Sequence, residues 1–112
     1  MSWWKFFTNA DQLNELIEAS TRKPVLIYKH SSRCSTSLMA KRIIEQEYEG
    51  EITDKLIIYF LDILEYRNIS NDVELRFGVQ HESPQILLIK DGKCVFHASH
   101  EDCSLEKIKR FI

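Results

Sequence analysis

Of the three cysteines in this 112-residue chain, Cys34 has the setting of a nucleophile. It follows the apolar run Val25-Leu26-Ile27-Tyr28 and a polar cluster, Lys29 to Arg33. It precedes Ser35 to Tyr48, where Ala40, Ile43, Ile44 and Glu47 fall at helical spacing. The pattern places Cys34 between the end of a strand and the first turn of a helix. There, unpaired N–H groups and the positive end of the helix dipole favour a thiolate over a thiol. Lys29, His30 and Arg33 are expected to add positive charge. A depressed thiol pKa does little for the rate of attack, because the thiolate gained is nearly offset by the nucleophilicity lost; it chiefly makes the sulfur a good leaving group. The chemistry on offer is thiol-disulfide exchange, in which a partner is accepted in a mixed disulfide and then released.

A second Cys three residues on would resolve such an intermediate from within. Here the stretch reads Cys34-Ser35-Thr36-Ser37, so Ser37 stands in the resolving place and closes no disulfide. Its hydroxyl is instead able to donate a hydrogen bond to the Cys34 sulfur. An outside thiol or a distant cysteine must finish the reaction, with Cys103 a minor candidate. A free Cys is more often a buried apolar residue than a reactive one. Against that reading, Ser31, Ser32, Arg33, Ser35, Thr36 and Ser37 surround Cys34 with polar groups. Cys94, His97, His100 and Cys103 recur every third residue, which invites a zinc reading. Side chains alternate along a strand, so Cys94 and His97 are expected on opposite faces of the sheet. We therefore expect no metal there, with Cys94 in the core and the histidines on the surface.

The elements that position Cys34 follow from local signals. Asn9 and Gln12 have capping-box spacing ahead of a helix over about Ala10 to Ser20. Val25 to Tyr28 reads as a strand buried on both faces, ending at Lys29-His30, and Leu56 to Ile63 as a second. The helix between them, stopped by Gly50, makes the pair parallel. A third helix carries Ile69, Val73 and Phe77, capped by Asn68 or Ser70 and ended by Gly78. Ser83-Pro84 opens Gln85 to Lys90, and Asp91-Gly92 turns the chain into an antiparallel partner, Lys93 to Ala98. Ser104 to Phe111 closes as a short helix with Leu105, Ile108 and Ile112 facing inward.

The net charge of -2 leaves no basic excess for nucleic acid or an anionic membrane. No apolar run has signal-peptide or membrane-spanning length, and an odd number of cysteines fits a reducing compartment. A cytoplasmic location is expected, with one domain over residues 1–112. Trp3, Trp4, Phe6 and Phe7 are read as a segment folded over the sheet edge or core rather than a docking patch. The Glu45, Glu47, Glu49 and Glu51 stretch is read as a solvated helix end.

The run Tyr28 to Ser37 resembles the active-site segment of the monothiol bacilliredoxins, and Ser83-Pro84-Gln85 resembles that family's version of the thioredoxin-fold proline segment. Some members carry Pro directly after the Cys, where this chain has Ser35. The resemblance implies an α/β thioredoxin-like fold, with a central mixed four-stranded sheet flanked by about four helices. It implies a cis Ser83-Pro84 bond beside Cys34, leaving the Ser83 backbone free to pair with an extended peptide. It also implies removal of bacillithiol from protein mixed disulfides, with bacillithiol as co-substrate, bacillithiolated client proteins and a low-molecular-weight thiol as partners, and no tightly bound cofactor. In that scheme Cys34 is the catalytic residue, Arg33 and Ser37 support it, and Ser32, Ser35, Thr36, Ser83 and Pro84 bind substrate. Two other functions compete. A glutathione or iron-sulfur monothiol glutaredoxin would resemble C-G-F-S with a later Gly-Gly turn, and the chain has neither. A binding module without turnover would use the Ser83-Pro84 surface alone.

Overall fold

A computed structural model describes residues 4–112, so Trp3 lies outside the described residues. The strands are β1 (Lys5–Phe6), β2 (Val25–His30), β3 (Ile57–Asp62), β4 (Gln85–Lys90) and β5 (Lys93–Ser99). The helices are α1 (Gln12–Ala19), α2 (Ser35–Glu47), α3 (Ile52–Lys55) and α4 (Arg67–Phe77), followed by 3-10 segments at His100–Asp102 and Leu105–Phe111. The sheet order is β1-β3-β2-β4-β5. β1 and β2 flank β3 in parallel, while β4 runs antiparallel to β2 and β5 to β4.

This is the expected mixed sheet, with five strands where four were expected. The additional strand is the two-residue β1, too short for any periodicity to reveal; it pairs Lys5 with Tyr59 and Phe6 with Phe60. Beside it Trp4 packs on Phe60 with ring centroids 4.7 Å apart, and Phe7 meets Tyr59 edge-on at 5.7 Å. The N-terminal aromatics thus fold over the sheet edge, Trp4 and Phe7 buried and Phe6 exposed.

The sheet separates two apolar layers. On one face Leu26, Tyr28, Ile58 and Phe60 pack against Ala40 and Ile44 of α2 and against Leu105 and Ile108. On the other, Val25, Ile27, Leu61 and Leu87 meet Leu16 of α1 and Ile69 and Val73 of α4. β2 is buried along its whole length, as a central strand covered by helices on both sides must be. The Gln12 side-chain carbonyl accepts from the Asn9 N–H at 3.0 Å, one half of the expected capping box, while the Asn9 side chain accepts from the Asp11 N–H at 2.8 Å and α1 starts at Gln12, not Ala10. α4 ends on Gly78 at φ 69°, and Asp91 and Gly92 both take positive φ, 51° and 76°, the backbone that a two-residue hairpin requires. The closing segment is a 3-10 helix, held at its start by Glu47 of α2, whose carboxylate accepts from the Leu105 N–H at 2.7 Å and the Ser104 hydroxyl at 2.6 Å.

One inference from strand period is corrected. The β4–β5 ladder shifts register between Leu88 and Ile89, so Cys94 pairs with Ile89 and His97 with Leu87. Directly paired residues share a face, and Leu87 and Ile89 belong to one apolar layer, so the bulge at Val95 brings Cys94 and His97 to the same side of the sheet. Among the described residues, no three His, Cys, Asp or Glu side chains converge as a metal site would need.

Candidate active site

β2 carries the chain to the C-terminal edge of the sheet, and Ser31 to Arg33 turn it into α2. The Cys34 N–H donates to the Ser31 carbonyl at 3.2 Å, and the Cys34 carbonyl accepts from the Leu38 N–H at 3.1 Å. Cys34 is therefore the N-cap of α2, in extended backbone, with a partly exposed side chain. The N-cap position sets its sulfur beside the N–H groups and hydroxyls of Thr36 and Ser37, without a side-chain capping bond of hydrogen-bond length. The Ser37 N–H above all, then the Ser37 hydroxyl and the N–H and hydroxyl of Thr36, favour the thiolate and hold the thiol below its ordinary range, against an opposing effect of burial. The Ser37 hydroxyl, expected to favour the thiolate, is among these groups, and Thr36 adds a second residue.

No charged group is among the causes of that shift. The positive charge expected from Lys29 and His30 is directed elsewhere. Lys29, fully buried, leaves the opposite face of β2, and its ammonium lies 3.3 Å from Nδ1 of His81. His30 turns its Nδ1 to the Tyr28 hydroxyl at 2.8 Å. Arg33 is exposed, its backbone N–H donating to the Ser31 hydroxyl at 3.4 Å. Hydrogen bonding at the helix N-terminus, not a cationic cluster, sets the Cys34 environment.

Ser37 is fully buried and joins three elements. Its hydroxyl lies 3.3 Å from the Ser31 N–H and 3.4 Å from the Ser83 hydroxyl, and its carbonyl accepts from the Tyr28 hydroxyl at 2.8 Å. The Ser83-Pro84 peptide bond is cis. Ser83 thus reaches the first turn of α2, and the proline loop and the cysteine loop form one surface. Ser32 and Ser35 are exposed beside Cys34, and Thr36 is half-buried. The proline loop is tied down on its far side. The Glu82 carboxylate accepts from the Ser99 hydroxyl at 2.7 Å and meets His100 Nε2 at 3.3 Å, bonds that keep it below the usual carboxylate range. The Pro84 carbonyl accepts from the His100 N–H at 2.9 Å.

A groove of about 130 Å³ runs along α2 from Thr36 past Met39 and Ile43 to His100 and Cys103. A larger one, about 340 Å³, lies at the opposite end of α2 between Glu49, Glu51, Ile52 and Lys55, away from the thiol. Size alone would have chosen the wrong end of the helix.

Cys103 is buried, and burial, with smaller contributions from Asp102, Glu101 and Glu82, pushes its thiol up to about 12. Cys94, half-buried, is also raised, mainly by burial. Tyr28 is the site residue for which the sequence suggested no role beyond the core. The available signal was a tyrosine in the middle of a buried run, whose hydroxyl must find a partner.

A sheet of this topology, with a cysteine capping the helix after its central strand and a cis-proline loop beside it, defines a thiol-disulfide redox protein of the thioredoxin fold. Residues 5–108 match the family described as monothiol bacilliredoxin BrxC, and the chain belongs to that family. Solved structures agree on the fold. One described as having a thioredoxin fold is 24% identical, with a TM-score of 0.80, over 95% of this chain and 90% of its own. The thioredoxin Mala s 13 of Malassezia sympodialis is 20% identical, with a TM-score of 0.75, over 93% of this chain and 84% of its own. The thioredoxin of Fasciola hepatica is 16% identical, also with a TM-score of 0.75, over 96% and 95%. Among the described residues, no helix is long and apolar enough to cross a membrane.

Proposed function

We propose that the protein removes bacillithiol from cysteines of client proteins. The Cys34 thiolate attacks the bacillithiol sulfur of a mixed disulfide, the client–bacillithiol bond breaks, and the client cysteine departs as thiolate with the electron pair. A second, outside thiolate then attacks the new Cys34–bacillithiol disulfide, takes up the bacillithiol and expels Cys34 as thiolate. The observation that carries this reading is a partly exposed Cys34 at the N-cap of α2, with the N–H and hydroxyl groups of Thr36 and Ser37 beside it and Ser37 where a second thiol would stand. Such donors stabilise the departing thiolate of the second step. Ser32, Ser35, Thr36, Ser83 and Pro84 face the mixed disulfide, and the identity of the small thiol comes from the family description. The odd number of cysteines, none of them paired, supports work in a reducing, cytoplasmic setting.

The test is intact-mass spectrometry of the reduced protein mixed with a model protein carrying a bacillithiol mixed disulfide, beside a glutathione-modified control and Cys34→Ser. Transfer of one bacillithiol to Cys34, absent in the variant and much slower from the glutathione donor, is the expected result. No transfer from either donor would overturn the proposal and favour a module that binds through the Ser83-Pro84 surface without turnover.

A further inference from the structure

We propose that Tyr28 is a positioning residue for the thiol: its buried hydroxyl pins the Ser37 carbonyl and so fixes the first turn of α2, whose N–H groups without intrahelical partners lie at the Cys34 N-cap. The inference rests on Cys34 being the exchanging thiol, and it adds what holds the thiol's hydrogen-bond donors in place.

Three contacts restrain Ser37 from outside α2, and their lengths rank them. The Ser31 N–H and the Ser83 hydroxyl stand 3.3 and 3.4 Å from the Ser37 hydroxyl, near the limit of a useful hydrogen bond. The Tyr28 hydroxyl lies 2.8 Å from the Ser37 carbonyl, an ordinary strong distance. The tightest anchor on the first turn of α2 therefore comes from beneath it, from the strand. That anchor is itself rigid. Tyr28 is fully buried, 6.3 Å from the Trp4 ring and 5.7 Å from Phe60 between centroids.

Proton counting orients the network. A peptide carbonyl only accepts, so Tyr28 spends its single proton on Ser37. Its oxygen, 2.8 Å from His30 Nδ1, must then accept there, which fixes His30 with its proton on Nδ1. The chain runs His30 Nδ1–H to Tyr28 O–H to Ser37. Burial, with Cys103, Cys34 and Glu45 nearby, pushes the phenol well above its usual range, so it remains a donor wherever the thiol titrates. Around His30, burial and Lys41 favour the neutral ring, while Asp62 and Glu45 oppose them. Protonating His30 would leave its Nδ1 donor in place.

The experiment is the pH profile of iodoacetamide alkylation at Cys34 in wild type and Tyr28→Phe, which needs no bacillithiol. A fivefold loss of thiolate at neutral pH, about 1 kcal/mol, predicts a reaction only about twofold slower, because the nucleophilicity gained offsets part of it, so the midpoint is the decisive readout. The profile midpoint should move up, with the rate on the high-pH plateau no lower than in wild type. His30→Phe, which keeps a ring against Phe60 and leaves the Tyr28 proton on Ser37, should shift the midpoint less. An unmoved midpoint in a folded Tyr28→Phe would overturn the inference and leave Tyr28 a packing residue. Should Tyr28→Phe fail to fold, NMR of the wild type decides. A slowly exchanging Tyr28 hydroxyl proton close to the Ser37–Leu38 peptide supports the inference, and its absence refutes it. Failure of bacillithiol transfer with the predicted midpoint shift present would count against the proposed function alone.

Discussion

Cys34 and Cys103 border the same face of the sheet, and the Tyr28 phenol feels both, yet their thiols are driven in opposite directions. Cys34 caps a helix, is partly exposed, and has the N–H and hydroxyl groups of Ser37 and Thr36 favouring its thiolate, which lowers its pKa. Cys103 is buried in the α2 layer, its thiol 3.7 Å from the Ala98 carbonyl, and is pushed up to about 12. The difference is not one of nearby positive charge, since none contributes at Cys34. What separates them is whether the anion meets prearranged N–H and O–H donors or an apolar wall. Reactivity in this molecule is a property of the first turn of α2.

The most demanding test of that contrast is selective alkylation. At pH 7 a thiol with a pKa near 12 is ionised in only about one molecule in 10⁵. Cys34 should be carboxamidomethylated at least ~10³ times faster than Cys103 in the native protein, as thiolate abundance and access together require. Peptide mass spectrometry of a time course gives the ratio directly. Comparable rates would break the comparison, and selectivity should vanish in urea.

If burial alone sets Cys103, it should act on a cation with the opposite sign, and Lys29 provides the check. Burial lowers Lys29 from 10.5 to about 8, with Glu74 opposing the shift and Arg67 adding to it. Between those two values the unfolded chain binds more protons than the folded one, so this lysine makes stability rise with pH through that window. Below about 8 both states are protonated, and the full cost, about 3 kcal/mol, weighs on the fold. Lys29→Met should therefore be more stable than wild type at pH 7 by up to that amount, with the gap narrowing toward pH 10. Cys103 works against this trend above its ordinary range, because a raised acid costs stability as pH climbs, so the quantity to follow is the difference between the two proteins in urea unfolding. A gap that ignores pH would show that burial is not what sets Lys29.

A third test removes Cys103 itself. Cys103→Ala should cost about 1–2 kcal/mol for the lost sulfur contacts and the space left behind. Exchange at Cys34 should stay within about twofold, as expected for a group that packs and takes no part in the chemistry. A more than tenfold loss in a folded variant would give Cys103 the resolving role that its burial argues against.

Much of this contrast was legible before the structure, and the exceptions share a cause. Gly78, Asp91-Gly92 and the apolar runs of β2 and β3 announce themselves because the responsible residues are neighbours in sequence. The placement of Cys34 at a helix start was local in the same sense. What escaped was set by distant partners or by a single residue out of phase. β1 exists because Tyr59 and Phe60 offer it an edge, and the bulge at Val95 reverses a face that strict alternation had assigned. Lys29 and His30 looked like contributors to the thiol, but alternation along β2 sends them to opposite faces, each toward another group. The Tyr28 bond to Ser37 spans 9 residues and the Ser37–Ser83 contact 46, beyond any local pattern.

The finest distinction is between the donors themselves. At Cys34 the leading contribution is the Ser37 N–H, with its hydroxyl behind it. Ser37→Ala keeps the first and removes the second, along with the weak contacts to Ser31 and Ser83. Loss of one side-chain hydroxyl bond of about 1 kcal/mol should slow alkylation of Cys34 near neutral pH by less than about fivefold. The thiol should titrate higher than in wild type and lower than an ordinary cysteine, because the backbone donors and the Thr36 hydroxyl persist. Absorbance of the thiolate at 240 nm against pH, with Cys34→Ser as the blank, resolves the three cases. A variant that titrates like a free cysteine would move the origin of the effect from the helix backbone to one hydroxyl. A variant indistinguishable from wild type would leave it wholly with the N–H groups that any N-cap cysteine meets.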